Sequence, residues 1–256
     1  MGRIHLFEFE DQSWFPDFLR NYGTDFLQFL SNGTKMYRPI IPVLKDGLAK
    51  AGTNGIIDLG SGGGGGLIWL NEELKKEVPD LKITLTDFYP NISAFEYTKS
   101  KSDNFEFIDS PVDARDVPND LNGLRTQFLS FHHFKREDAK QILQNAVDSG
   151  SSIAIFEAQE RSFPSILAMI FSPITVWLTT LFIRPFKIGR VLFTYLIPIV
   201  PLFVLWDGVV SCLRTYSVDE MKALTGELRN AEHYEWEIQR IKSGPGVILY
   251  LLGSKA

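Results

Sequence analysis

The residues best suited to chemistry stand in one run, Asp58-Leu59-Gly60-Ser61-Gly62-Gly63-Gly64-Gly65-Gly66, between an apolar stretch and a helical one. Glycines there let the backbone approach a ligand closely and take positive φ, while a helix start offers free N–H groups. The spacing Gly60-x-Gly62-x-x-Gly65 also satisfies the dinucleotide fingerprint. Taken alone, the run is equally a flexible strand-to-helix turn. Asp87 closes the next β-rich stretch, where a carboxylate can accept from both hydroxyls of a ribose, and Asp113-Ala114 follows the third. For Asp113 and for Ser130, at the end of the fourth stretch, loop capping is the structural alternative.

His132 and His133 lie in Leu129-Ser130-Phe131-His132-His133-Phe134, at the carboxyl end of that fourth stretch, where open α/β sheets place their ligands. Histidine near neutral pH can take a proton from a hydroxyl, amine or thiol. One imidazole can face the site and the other the following helix, or both can be polar packing. Glu157, at the end of the fifth stretch, orients an acceptor or caps the next segment. Arg38, after Tyr37, reaches a cofactor carboxylate or forms a solvent salt bridge. No His/Asp/Glu group has metal-ligand spacing along the chain, so no metal is expected.

The elements that must position these residues are read from periodicity. Gly55 to Gly60, Lys82 to Thr86, Phe105 to Ile108, Arg125 to Phe131 and Ser152 to Phe156 read as strands. Leu67 to Val78, Asn91 to Ser100 and Lys135 to Val147 read as helices between them. Alternation of that kind implies an α/β protein whose parallel sheet carries helices on both faces. Ser217 to Leu228 is a helix opened by a capping box, Ser217 with Glu220. Tyr234 to Ile241 and Val247 to Leu252 are strands joined by Lys242-Ser243-Gly244-Pro245-Gly246, too short for a parallel crossover. The sheet therefore ends in an antiparallel hairpin.

At 256 residues, with 45% hydrophobic and 22% charged residues, the chain can bury a large core as a single domain spanning 1-256. A net charge of -5 without a basic cluster excludes general nucleic-acid binding. The single cysteine, Cys212, excludes an internal disulfide. Met1 to Gln12 puts Glu8, Glu10 and Asp11 where a signal peptide needs its apolar run, so a cytoplasmic location is expected.

The motif Asp58-x-Gly60-x-Gly62-x-Gly64, with Asp87, Asp113 and the terminal hairpin, resembles the class I S-adenosylmethionine-dependent methyltransferases over Gly55 to Phe156 and Ser217 to Gly253. The resemblance implies a Rossmann-like seven-stranded sheet, mostly parallel with a C-terminal antiparallel hairpin, and S-adenosylmethionine as cofactor. It implies that Gly60, Ser61 and Gly62 line the methionine and ribose. It further implies that Asp87 binds the ribose hydroxyls, Phe88 packs on adenine, Asp113 accepts from the adenine amino group, Ala114 offers backbone contacts and Ser130 sits beside the cofactor. Asp58 orients the loop without touching the ligand. The five consecutive glycines, Gly62 to Gly66, exceed the family pattern and lead us to expect a loop that is mobile until a cofactor orders it.

Two apolar regions complete the chain. Ser162 to Ile183 runs 22 residues without a charge and Val191 to Trp206 another 16, separated by Arg184, Lys187 and Arg190. This apolar helical insertion, 162-206, suits a segment lying in a membrane interface, or else a soluble lid for a greasy substrate or a homodimer interface. Spanning is disfavoured, because both flanks belong to one sheet and the cations would fall outside. An N-terminal helical cap, 1-50, carries Trp14, Phe15, Phe18, Leu19 and Phe26 at helical spacing, as core packing against the sheet or as an aromatic cap over a pocket. The expected function is methyl transfer to a hydrophobic small molecule or lipid, with His132 or His133 as base. A nicotinamide-dependent oxidoreductase is the alternative from the glycine loop, and a non-catalytic membrane-docking protein the alternative from the insertion.

Overall fold

The computed structural model describes residues Gly2 to Ala256. Met1, which opens the expected cap, lies outside them. Seven strands form: β1 (Gly55–Leu59), β2 (Lys82–Thr86), β3 (Phe105–Phe107), β4 (Leu124–Phe128), β5 (Ile153–Glu157), β6 (Tyr234–Ser243) and β7 (Gly246–Lys255). They pair in the order β3-β2-β1-β4-β5-β7-β6, parallel from β3 to β5, with β7 antiparallel to both β5 and β6. Every residue of β5 is buried, as a strand covered on both faces requires.

Helices supply those covers. The helices α2 (Ile41–Ala51), α3 (Ile68–Lys75) and α4 (Ile92–Lys99) close one face over Leu44, Leu70, Phe95 and Phe156. On the other face α5 (Arg136–Asp148) and α10 (Val218–Gly226) bury Leu143, Ile155, Tyr216 and Leu224. The capping box of α10 forms as read: Glu220 N–H donates to Ser217 Oγ at 3.2 Å and Ser217 N–H to Glu220 Oε2 at 2.8 Å.

Several boundaries differ from expectation. The fourth strand stops at Phe128, because Leu129 takes φ +50° and turns the chain into a 3-10 turn at Phe131–His133. The hairpin turn is only Gly244-Pro245, since Ser243 still pairs with Gly246. The helix expected from Leu67 begins as a 3-10 turn, Gly65–Leu67, and ends at Lys75.

The apolar insertion folds as α6 (Phe163–Ile170), α7 (Ser172–Thr179), α8 (Ile188–Tyr195) and α9 (Ile199–Arg214). Its last helix runs well past Trp206, the expected end. The N-terminal aromatic stripe sits on α1 (Asp17–Gly33) and the turn before it, which carries Trp14 and Phe15, and its packing corrects the sequence reading. Phe15, Leu19 and Phe26 join Val176, Ile183, Val200 and Phe203 in a third core, against the insertion instead of the sheet. No single helix among the described residues is long and apolar enough to cross a membrane; α8 and α9 reach that length only together, bent by 78°.

Candidate functional site

The glycine run leaves β1 and crosses under α1. Gly64 has φ +64°, and a Cβ there would lie 2.5 Å from Leu85 Cδ1, so the position demands glycine twice over. A Cβ on Gly65 would overlap the Gln28 side chain of α1. Asn32 Nδ2 donates to Gly65 O at 2.6 Å, its Oδ1 accepts from Trp69 N–H at 2.8 Å, and Thr98 Oγ1 donates to Gly63 O at 3.1 Å. These contacts tie the loop to α1, α3 and α4. The extra glycines let α1 pack directly on the backbone.

Asp87 sits at the carboxyl end of β2 and accepts from Gly62 N–H at 2.8 Å and Tyr89 N–H at 2.8 Å. Burial pushes its pKa up, against the pull of those two N–H groups. Phe88 beside it is 46% exposed, a free aromatic face next to a carboxylate and a glycine turn. Ser130 lies across from Gly60, with its Oγ donating to Leu59 O at 3.4 Å. Together Gly60, Ser61, Gly62, Asp87, Phe88 and Ser130 line the carboxyl ends of β1, β2 and β4, a set able to hold a nucleoside.

Two acids have other partners. Asp58 is buried, and its Oδ1 accepts from Thr126 Oγ1 at 2.8 Å while its backbone carbonyl accepts from Ser61 Oγ at 2.9 Å. Burial lifts its pKa to about 7, with the Ser61 and Thr126 hydroxyls opposing. Asp58 thus secures the root of the loop. Asp113 accepts from the Arg115 N–H at 2.9 Å and from its guanidinium at 2.7 Å, which holds its pKa below the usual carboxylate range. Arg115 also reaches Asp138 at 2.9 Å and ties the loop bearing Ala114 to α5.

The histidine pair is enclosed by carboxylates. His132 Nδ1 is 2.7 Å from Glu157 Oε2, and its backbone N–H donates to Glu157 Oε1 at 3.1 Å. Its Nε2 is buried without a hydrogen bond, 3.7 Å from Glu8 Oε1. His133 Nδ1 is 2.8 Å from Asp11 Oδ1 and 3.6 Å from Glu8 Oε2. Arg214, at the end of α9, donates to Asp11 Oδ2 at 2.6 Å and His133 O at 2.8 Å, and lies 3.1 Å from Glu8 Oε1.

Glu8, Asp11 and Arg214 were not singled out for this site from the sequence. The acids counted there only against a signal peptide. The available signal was two acids three apart inside an aromatic stretch, Phe7 to Phe15. Without any ligand spacing along the chain, the fold brings donor atoms of Glu8, His132 and His133 within 4.8 Å of one another. The cation facing them is the Arg214 guanidinium. Arg38 of α2's leading turn is exposed.

These carboxylates set the protonation of the pair. Burial lowers the His133 pKa, but Glu8 and Asp11 outweigh it and raise the value to about 9. His133 is therefore an imidazolium at neutral pH. Burial also lifts Glu10 to about 8, with help from Asp207, and Asp207 to about 7. All three groups bind protons more tightly in the folded chain, so their stabilisation is present at low pH and lost as pH rises. Thermal melts should show the midpoint falling between about pH 4 and 9, with the His133 contribution, on the order of 3 kcal/mol, lost between about 6.5 and 9. His133→Gln should flatten that upper limb; a flat wild-type profile would contradict the network.

No protein-family model and no curated protein matches the chain. Solved structures do. PigF, solved with S-adenosylhomocysteine (SAH), is 17% identical, with a TM-score of 0.52 over 96% of this chain and 63% of its own. Human N-acetylserotonin methyltransferase, in complex with S-adenosylmethionine, is 16% identical, TM-score 0.49, over 93% of this chain and 59% of its own. An O-methyltransferase family protein from Burkholderia thailandensis is 15% identical, TM-score 0.47, over 87% and 57%. The chain thus spans less than two thirds of the length of these three. The likeness to PigF shows the fold: an α/β Rossmann-like sheet of seven strands, mostly parallel, with a C-terminal antiparallel hairpin.

Proposed function

We propose that this chain transfers the methyl group of S-adenosylmethionine to a hydrophobic small-molecule or lipid-like acceptor. The observation that carries the reading is the junction at the carboxyl ends of β1, β2 and β4: a glycine loop bonded to Asp87, with the Glu157-held His132 at the end of the adjacent strand. The bound cofactor would present an electrophilic methyl group on a sulfonium, open to in-line displacement, so catalysis comes largely from holding donor and acceptor in line.

Gly60, Ser61, Gly62 and Gly64 would hold the methionine and ribose through backbone groups, with Asp87 accepting from the ribose hydroxyls. Phe88 would cover the adenine. Asp113 keeps lone pairs beyond its Arg115 bonds for the adenine amino group, and Ala114 adds backbone contacts. Ser130 would stand between cofactor and acceptor. His132 would donate through Nδ1 to Glu157, leaving the lone pair of Nε2, buried 3.7 Å from Glu8 Oε1, to take the acceptor's proton. Glu157 is then a positioning residue. His133 already carries a proton and supports the wall of the site with Asp11, Glu8 and Arg214. An apolar acceptor suits the surroundings, because α9 extends from the apolar insertion to the carbonyl of His133.

Calorimetric titration with SAH tests the cofactor half, with NADH as control. Wild type should bind SAH in the micromolar range and leave NADH unbound. Asp87→Ala should weaken SAH by roughly 10- to 150-fold, the value of charge-assisted hydrogen bonds. Folded protein that ignores SAH would overturn the reading, and NADH binding in its place would favour the oxidoreductase.

A further inference from the structure

The insertion has two apolar faces, and the fold uses one. Val176, Ile183, Val200 and Phe203 point inward against α1. Outward, α6 buries none of its residues. Of the 25 large apolar or aromatic side chains that are exposed among the described residues, 17 lie between Phe163 and Trp206. Phe163 is 75% exposed, Ile188 79% and Leu196 74%. Each such side chain presents about 150–250 Å² when fully bared, so at roughly half exposure the group exceeds the 300–600 Å² of the largest apolar patch on an ordinary monomer. A cleft of about 440 Å³ opens on the same face, lined by Pro173, Ile174, Trp177, Tyr195, Pro198 and Leu202.

Charge identifies the occupant. No Asp or Glu stands between Glu160 and Asp207, in a chain whose net charge is -5. Arg184 sits on the exposed rim and donates to the carbonyls of Leu181 and Ile183. The rim is fixed in place: Arg190, buried beneath it, bonds Asp25 of α1 and the carbonyls of Ile183 and Pro185. Lys187 pairs with the same Asp25 at 2.9 Å and keeps part of its surface open. Among the described residues Arg184 is the rim cation without a carboxylate partner, and the same face of a second copy would bring another Arg184 and no free carboxylate to meet it. Lipid phosphates meet it directly, while Trp177 and Tyr195, paired at 5.7 Å, suit the headgroup level. Crossing is ruled out for any single helix by length, and the 78° bend between α8 and α9 lets both lie along a surface.

We propose that the outer face of α6 to α9 docks on the surface of an anionic phospholipid bilayer, with Arg184 and Lys187 at the headgroups and the apolar cleft turned toward the acyl chains. This docking stands apart from the methyl-transfer reading, because its readout is sedimentation and a failure to bind SAH leaves it untouched.

The test is co-sedimentation of the full chain with vesicles of phosphatidylcholine alone and of phosphatidylcholine mixed with phosphatidylglycerol. Most of the protein should pellet with the anionic vesicles and much less with the neutral ones. Leu178→Glu with Phe182→Glu, at positions 63% and 66% exposed, should cut the bound fraction at least tenfold while leaving the melting temperature in place. Arg184→Glu should reduce the preference for anionic vesicles by about fivefold or more. Protein left in the supernatant with both vesicles would overturn the proposal. So would equal binding to both, or a stable dimer in light scattering that the Leu178→Glu, Phe182→Glu variant dissociates.

Discussion

Replacing Arg214 with methionine should destabilise the fold by about 3–5 kcal/mol, since it leaves the buried Glu8 carboxylate with only the His133 imidazolium, 3.6 Å away, as its cation. The Arg214 side chain is 2% exposed and Glu8 1%, so water cannot take over the lost bonds. For a chain of this length the melting midpoint should fall by about 10 °C. The damage should concentrate at the N-terminus. Residues 8–11 are held to α9 by Arg214 and by Asp207, which accepts from the Phe9 N–H at 2.7 Å and the Glu10 N–H at 3.2 Å. Hydrogen exchange at Phe9 and Glu10 should therefore accelerate before that of β1 or β5. Adding Glu8→Gln to Arg214→Met should recover part of the loss, because the second change removes the stranded charge, and a double-mutant cycle measures the coupling. A midpoint unchanged in Arg214→Met would mean that the network contributes no net stability.

On the reading of His132 as base, His132→Gln should lower methyl transfer to a responsive hydrophobic acceptor by about 10²–10⁴-fold, the ordinary worth of a positioned proton acceptor. The affinity for SAH should stay within about twofold, because the polar side-chain contacts of the imidazole are to Glu157, Gln159 and Glu8 and not to the glycine loop or Asp87. Glu157→Gln should cost about 10- to 100-fold, as expected when the group that orients a catalytic imidazole loses its charge. That loss should fall on kcat with KM nearly unchanged, and Glu157→Asp should restore part of it. A merely structural Glu157 would instead lower the melting temperature and spare kcat per folded molecule. Turnover at the wild-type rate in His132→Gln would remove the base from the mechanism and leave positioning alone.

The strands, the terminal hairpin and the acids and glycines at the strand ends were legible in the sequence because they are local. Asp58, the glycine run and Asp87 each sit where a short apolar or β-rich run meets a turn, and the terminal hairpin is forced by a connection too short to cross over. The glycine count was legible as well, but its reason was not. Gly64 and Gly65 are glycine because Leu85 and Gln28 press on them, and those residues come from β2 and α1. The histidine pair was visible, yet its roles could not be divided. Which imidazole is held by Glu157 and which by Asp11 depends on Leu129 turning at φ +50° and on a segment 122 residues away folding back over it.

Arg214 reaches Asp11 across 203 residues, a contact with no periodic trace in the chain. The insertion shows the same division from the other side. Its lack of acids and its apolarity are properties of sequence alone. Which apolar residues face α1 and which face outward was decided only when the third core closed around Val176, Ile183, Val200 and Phe203, because an all-apolar helix carries no polar face to set its rotation.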